Sequence, residues 1–265
     1  MPSATSRKAP GEETSDSQGV RSIQRALDIL SLLTEERPLL AIRDIVAATG
    51  LAKTTVIRIV QTLEQTGLLW ATNSGYMAGP GLWRWAHLAR QSWELPPETQ
   101  RLMRELAAHE RETVNLYVVR DTVRVCIAQQ ESPQPLRHVV RVGDELPLWA
   151  GASAKVLLRN APPALLDRIA RSSPWGEGHT GRMQEWIDQA AVQGFAVSHG
   201  EREEGLSAVA VPLEGRSGSV VAALTLSGPT VRFTDDRVAE FTAALLAAAT
   251  RMNERGFDHP LGSSL

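Results

Sequence analysis

Cysteine and lysine are scarce in this chain: Cys126 stands alone, and Lys8, Lys53 and Lys155 are the only lysines among 265 residues. A single cysteine excludes an intramolecular disulfide framework and a multi-cysteine zinc site, and it fits a reducing compartment. Cys126 itself reads as a small apolar strand residue. No uncharged apolar run approaches the roughly 18 residues of a membrane span, and the N-terminus has no apolar signal core. The expectation is therefore a soluble, cytoplasmic protein without a membrane partner. His87, His109, His138, His179, His199 and His259 show neither HExxH nor HxH spacing, so neither a metal site nor a cofactor is expected. The shortage of lysine beside many arginines reads as genome composition rather than function.

What is present is an ordinary globular mixture, 43% apolar and 22% charged, which excludes disorder throughout and is long enough for about two domains. The net charge of −2 argues at first against a nucleic-acid partner. It hides a split. Residues 20–90 carry a net +3, residues 1–19 a net −1 and residues 91–265 a net −4. A basic segment on an acidic remainder suggests separate partners for the two parts.

Residues 1–19 hold Ser, Thr, Pro, Glu and Gly with little to bury, so a disordered tail is expected. Ile23, Ala26, Leu27, Leu30 and Leu33 then repeat at helical spacing up to Pro38. A second short helix turns Ile42, Ile45 and Val46 inward and closes at Gly50. A third opens near Lys53 and buries Val56, Ile57, Val60 and Leu63. The period then changes: residues 68–72 and 76–78 read as strands around Asn73, Ser74 and Gly75. Helix, helix, tight turn, helix, hairpin is the order of a winged helix-turn-helix.

A helix over residues 82–94 follows, with Leu82, Trp85, Ala86, Ala89 and Trp93 on one face, a face expected to pack against a second chain or the next domain. Beyond Pro96 the pattern is mixed. A helix over 98–110 precedes strands over 113–119 and 122–129 and an extended segment over 136–142. Helical stretches over 152–158, 163–170 and 182–193 lead to strands over 195–200, 207–212 and 219–227, and a helix over 235–255 ends the ordered chain. Tight turns between neighbouring strands imply antiparallel pairing, so the second domain is α+β. The expected division is a tail over 1–19, a winged helix-turn-helix domain over 20–80, a linker helix over 81–95, a ligand domain over 96–256 and a flexible tail over 257–265.

The third helix carries the sharpest functional signal. With its apolar residues inward, its other face shows Lys53, Thr54, Thr55, Arg58, Gln61, Thr62 and Gln65, with no carboxylate until Glu64 at the margin. A helix entering the major groove needs hydroxyl and amide donors, a long bidentate cation and no negative charge against the phosphates. Arg58 suits a guanine edge, Thr54 and Thr55 a phosphate or thymine methyl, and Lys53 a phosphate.

The runs RSIQRALDIL (21–30), GLAKTTVIRIVQTL (50–63) and GYMAGP (75–80) resemble the DNA-binding half of IclR-type bacterial transcription regulators. ETVNL (112–116), RVGDELPL (141–148), GASAK (151–155), GFAVSHGEREEG (194–205) and LSGP (226–229) resemble the effector-binding half, so the likeness is collinear over about residues 20–255. It implies a GAF-like antiparallel-sheet effector domain after the winged helix. It also implies a dimer, or a pair of dimers, on a pseudo-palindromic double-stranded operator, and a small-molecule effector, an organic or aromatic acid.

For the effector site the resemblance points to Gly151, Ala152 and Ser153 at a helix start, to Thr225 and Ser227 on a strand, and to Ser198, Leu206 and Ala208. Amide N–H groups at a helix start attract an anion, and hydroxyls two apart on a strand share a face. Ala208 and Ser198 replace polar or acidic groups of some relatives, which implies a larger or less polar ligand than a two- or three-carbon acid. Ala52 stands where proline is common, Ala154 where glycine is, and Met77 where the wing often has a base, which removes a phosphate contact.

An enzyme is not expected. GASAK around Ser153 half resembles a nucleophile elbow, but the elbow needs glycine on both sides, and no His or Asp is singled out as a partner. His199 is the one histidine near the expected pocket. The alternative reading is a ligand-binding or catalytic α+β domain with a fused helical interaction module.

Overall fold

The computed structural model describes residues 20–215 and 217–254. The tails expected at 1–19 and 257–265 lie outside the described residues. The chain divides into two compact units between Gln91 and Ser92, inside the helix expected as a linker.

The first unit contains α1 (Arg21–Leu30), β1 (Leu39–Leu40), α2 (Ile42–Thr49), α3 (Lys53–Gln65), β2 (Leu69–Thr72), β3 (Gly75–Ala78) and most of α4 (Gly81–Trp93). α2 ends as expected at Gly50, left-handed at φ +67°, and Leu51 and Ala52 complete the turn into α3. Ile29, Leu40, Ile45, Val56, Val60, Leu63 and Leu69 form the buried core.

Two details depart from the sequence expectation. In α3 it is Ile59, not Ile57, that packs against this core, so the inward ridge is 56, 59, 60 and 63. In α1 the buried residue is Ile29, with Ala26 and Leu30 at the margin, while Ile23 and Leu27 are 59% and 51% exposed. The wing is also a three-stranded sheet, ordered β1-β3-β2, because Leu39 and Leu40 pair with Met77 and Tyr76.

The second unit contains α5 (Pro97–Glu110), β4 (Thr113–Arg120), β5 (Val123–Gln130), β6 (Glu145–Pro147), α6 (Ala152–Leu157), α7 (Pro163–Ser172), α8 (Thr180–Gln193), β7 (Ala196–His199), β8 (Leu206–Glu214), β9 (Val220–Pro229) and α9 (Asp235–Glu254). Its six-stranded sheet has the order β6-β5-β4-β9-β8-β7, and every pairing is antiparallel. Alternation along the strands feeds two cores. Val114, Leu116, Val118, Val209, Val211, Leu224 and Leu226 meet Met103, Leu106, Phe241 and Leu245 of α5 and α9. Tyr117, Cys126, Ala210 and Ala223 meet Val156, Leu157, Ile169, Met183 and Ile187 on the other face. Both faces are apolar, so the sheet is covered on both sides.

The extended segment expected over 136–142 is not a strand. Leu136, Val139 and Val142 face solvent, and the chain turns at Asp144, which accepts from the Arg141 N–H at 2.8 Å; backbone bonds to β5 begin at Gly143 and Asp144, both with Cys126, and the paired strand at Glu145. Among the described residues no helix is long and apolar enough to cross a membrane.

Candidate functional site

Each unit presents one site. On the first, α3 leaves Lys53, Thr54, Arg58, Gln61 and Thr62 exposed, while Thr55 is half-buried at the inner margin. Thr54, Arg58, Gln61 and Gln65 follow one another at spacings of four, three and four, so they line one side of the helix. The first turn of α3 has no acidic residue, and its N-cap is Ala52, which gives no side-chain cap. The leading N–H groups are thus left for an outside acceptor such as a phosphate. The Thr62 hydroxyl is turned back, donating to the Arg58 carbonyl at 3.0 Å, so it meets a partner only as an acceptor.

The site of the second unit arises where the α6-facing side of the sheet changes from apolar to polar. Register places Thr113, Ser227, Ala208 and Ser198 in one lateral rank across β4, β9, β8 and β7, and Asn115, Thr225, Ala210 and Ala196 in the next. Above these ranks opens a cleft of about 400 Å³, partly continuous with solvent. Gly151, Ala152, Ser153, Ser198, Leu206, Ala208, Thr225 and Ser227, the eight residues singled out in the sequence, all line it.

Charged residues that the sequence reading missed complete the lining, among them Arg124, Glu201, Arg202 and Glu203. Arg124 is buried, and its Nη1 donates to the carbonyls of Pro147 and Ala150. Burial pulls its pKa down to about 10, which still leaves it charged near neutrality. Gly151 has to be glycine here: its φ is +98°, and a Cβ would lie 3.1 Å from the Arg124 guanidinium. The signal for Arg124 was in the sequence, since it shares strand parity with Cys126, which reads as a small apolar strand residue.

The anion seat expected at the start of α6 is already taken. Glu201 accepts from the Gly151 N–H at 3.0 Å and from Lys155 Nζ at 2.5 Å. The histidine beside the cleft is His138, not His199. His138 Nδ1 lies 3.0 Å from Ser227 Oγ and its Nε2 lies 3.2 Å from Arg202, whereas His199 pairs with Ser207. Burial, with Arg202 adding to it, pushes His138 down to about 4. Nothing in the sequence signalled this, because His138 reaches Ser227 from a loop 89 positions away.

Lys155, the imagined partner of Ser153, gives its ammonium to Val197 O and Glu201 and lies over the Trp186 ring. Burial also pushes the Cys126 thiol up to about 12, so it is not a thiolate nucleophile. Among the described residues no group of three His, Cys, Asp or Glu side chains is placed to hold a metal ion.

A winged helix-turn-helix with an acid-free recognition face, followed by a sheet domain with a polar cleft, defines the class of DNA-binding transcription regulators. Residues 22–70 match the IclR helix-turn-helix domain and residues 87–254 the C-terminal domain of bacterial IclR transcriptional regulators. The chain belongs to the IclR family. It is 31% identical to the HTH-type transcriptional regulator KdgR of Escherichia coli, over 91% of this chain and 95% of that protein. To the HTH-type transcriptional regulator Rv1719 of Mycobacterium tuberculosis it is 32% identical, over 91% of this chain and 95% of that one. Among solved structures, the IclR-family regulator RHA1_ro06953 from Rhodococcus sp. is 39% identical with a TM-score of 0.62, covering 94% of this chain and 98% of that one. An IclR regulator from Alicyclobacillus acidocaldarius, at 25% identity, gives a TM-score of 0.72 over 89% of this chain and 98% of that one.

Proposed function

We propose that this regulator acts in the cytoplasm, without catalytic activity, as a dimer or pair of dimers. It binds a pseudo-palindromic double-stranded operator through α3 and answers to a small-molecule effector held in the cleft of the second unit. The observation that carries the DNA half is the α3 face, where Lys53, Thr54, Arg58 and Gln61 stand without a carboxylate among them. The eight residues of the cleft nominated by family likeness support the effector half. Assembly is supported by apolar surface that a single copy leaves in water: Trp83 and Trp85 of α4 are 79% and 60% exposed. Side chains of this bulk are the kind that interfaces bury. Ile23 and Leu27 of α1 are exposed as well, and a two-fold pairing would set two α3 helices about one helical turn of DNA apart.

The test is a titration of labelled duplex from upstream of the protein's own gene, against random duplex of equal length at fixed salt. Tighter binding to the upstream duplex by about a thousandfold or more is expected, as specific regulators show. Equal affinity for both duplexes sinks the regulator reading. Lys155, committed to Glu201 and Val197, gives no support to the catalytic alternative.

A further inference from the structure

The hydrogen-bond network around the cleft fixes which groups remain for a ligand. A guanidinium only donates, so the contact of Arg202 with His138 Nε2 makes that nitrogen the acceptor and puts the imidazole proton on Nδ1. Nδ1–H therefore donates to Ser227 Oγ. Gln129 donates to Asn115 Oδ1 at 3.2 Å, which turns the Asn115 Nδ2 toward Ser227, also at 3.2 Å. Both acceptor positions of the Ser227 hydroxyl are then used, and its own proton is left to point at a ligand.

Two further atoms are buried without any partner, Arg124 Nε and Thr225 Oγ1, and both residues line the cleft. The carboxylates of the cleft are committed. Glu201 is held by Gly151 and Lys155, and Glu203 lies 3.2 Å from Arg202. Among the described residues Arg124 has no carboxylate partner. A buried cation without an anion is an expensive arrangement unless something completes it, and the free edge of a guanidinium fits the two oxygens of a carboxylate.

Resting on the reading of this cleft as the effector site, we infer that Arg124 is the residue that captures the effector, by a carboxylate group set against its Nε–H edge. The hydroxyls of Ser227 and Thr225 donate to the remaining oxygens. A neutral apolar ligand leaves Arg124 Nε and Thr225 Oγ1 unsatisfied, a loss that no apolar contact replaces.

The test uses the full chain and matched pairs that differ in charge alone: acetate and acetamide, benzoate and benzamide, 4-hydroxybenzoate and 4-hydroxybenzamide. Each is added at equal millimolar concentration and equal ionic strength, and the thermal midpoint is read. At least one acid should raise the midpoint above its amide, and Arg124→Met should abolish that difference. Because Arg124→Met also strips Pro147 and Ala150 of a donor, Thr225→Val serves as the second variant. Its hydroxyl has no internal partner to lose, so it should fold as well as the parent and weaken the acid by about three- to tenfold.

If no acid exceeds its amide, or if Arg124→Met keeps the parent's acid–amide difference, the inference falls, and a Thr225→Val that binds the acid like the parent removes Thr225 from the site. An operator titration with the same protein keeps the two claims apart. An amide that binds and shifts operator affinity leaves the regulator standing and removes the carboxylate. An acid that binds through Arg124 without moving operator affinity does the reverse.

Discussion

Single side chains separate the two tasks of this molecule. Arg58 stands exposed in the middle of the α3 line, long enough to fork onto a base edge, while Lys53 sits at the helix start where charge meets phosphate. Arg58→Ala should weaken operator binding by about 1–3 kcal/mol and random-duplex binding much less, checked by parallel titrations at one salt concentration. Equal losses on both duplexes would reduce Arg58 to a phosphate contact. His138 carries a pH dependence. Its folded pKa is about 4 against an ordinary 6.5, under burial, Arg202 and Arg124, with Glu203 opposing. The unfolded chain therefore binds the proton first. Stability is fully present above pH 6.5 and declines as the pH falls toward 4, and denaturant melts should show this slope flattened in His138→Gln. The cleft was half legible in the sequence: small and hydroxylic residues of the sheet were found through likeness, whereas Glu201, Arg202 and His138 sit on loops whose approach no period encodes. Arg124 was legible by parity and was passed over because arginine is so often solvated.

At the scale of elements, long amphipathic segments are legible as elements, although α1 and α3 turn partly different residues inward, and short or irregular ones are not. β1 has two residues and therefore no period to detect, and residues 136–142 look like a strand by composition although Leu136, Val139 and Val142 face water. β1 nonetheless shapes the wing. Leu39, Met77 and Trp70 stand in register across its three strands, and all three are exposed. This wing face therefore offers no cation to a phosphate. Met77→Lys should raise affinity for duplex DNA and steepen the dependence of log affinity on log salt by about one unit, measured by titration at several salt concentrations. An unchanged slope would place the wing away from the backbone. On α4, Trp83 and Trp85 have the bulk of interface anchors. Trp85→Glu should shift the protein toward monomer in sedimentation velocity and weaken operator binding with it; an unchanged oligomer would remove α4 from the interface.

For the molecule as a whole, the net charge of −2 is the sum of a basic winged unit and an acidic remainder, and the sum conceals both. Two units with separate partners are useful to a regulator only if their equilibria are linked, and linkage is reciprocal. An effector that changes operator affinity by some factor must have its own affinity changed by the same factor when operator is present. Calorimetric titration of the effector with and without operator should return that factor, and a mismatch would mean that the two experiments populate different assemblies. Apart from β1, β6 and the segment 136–142, the order of elements was legible because helical and strand periods are local. The way the sheet's polar ranks gather loops from distant positions was not.

Cys126, buried on the sheet face beside Asn115, gives the chain a chemical reporter of its own. With no second thiol in the sequence, any disulfide-exchange reagent that marks the protein marks the moment when the ligand domain opens, and the winged domain stays silent. The labelling rate then becomes a stopwatch for that one domain. It should slow when the cleft is filled, with no engineered probe required.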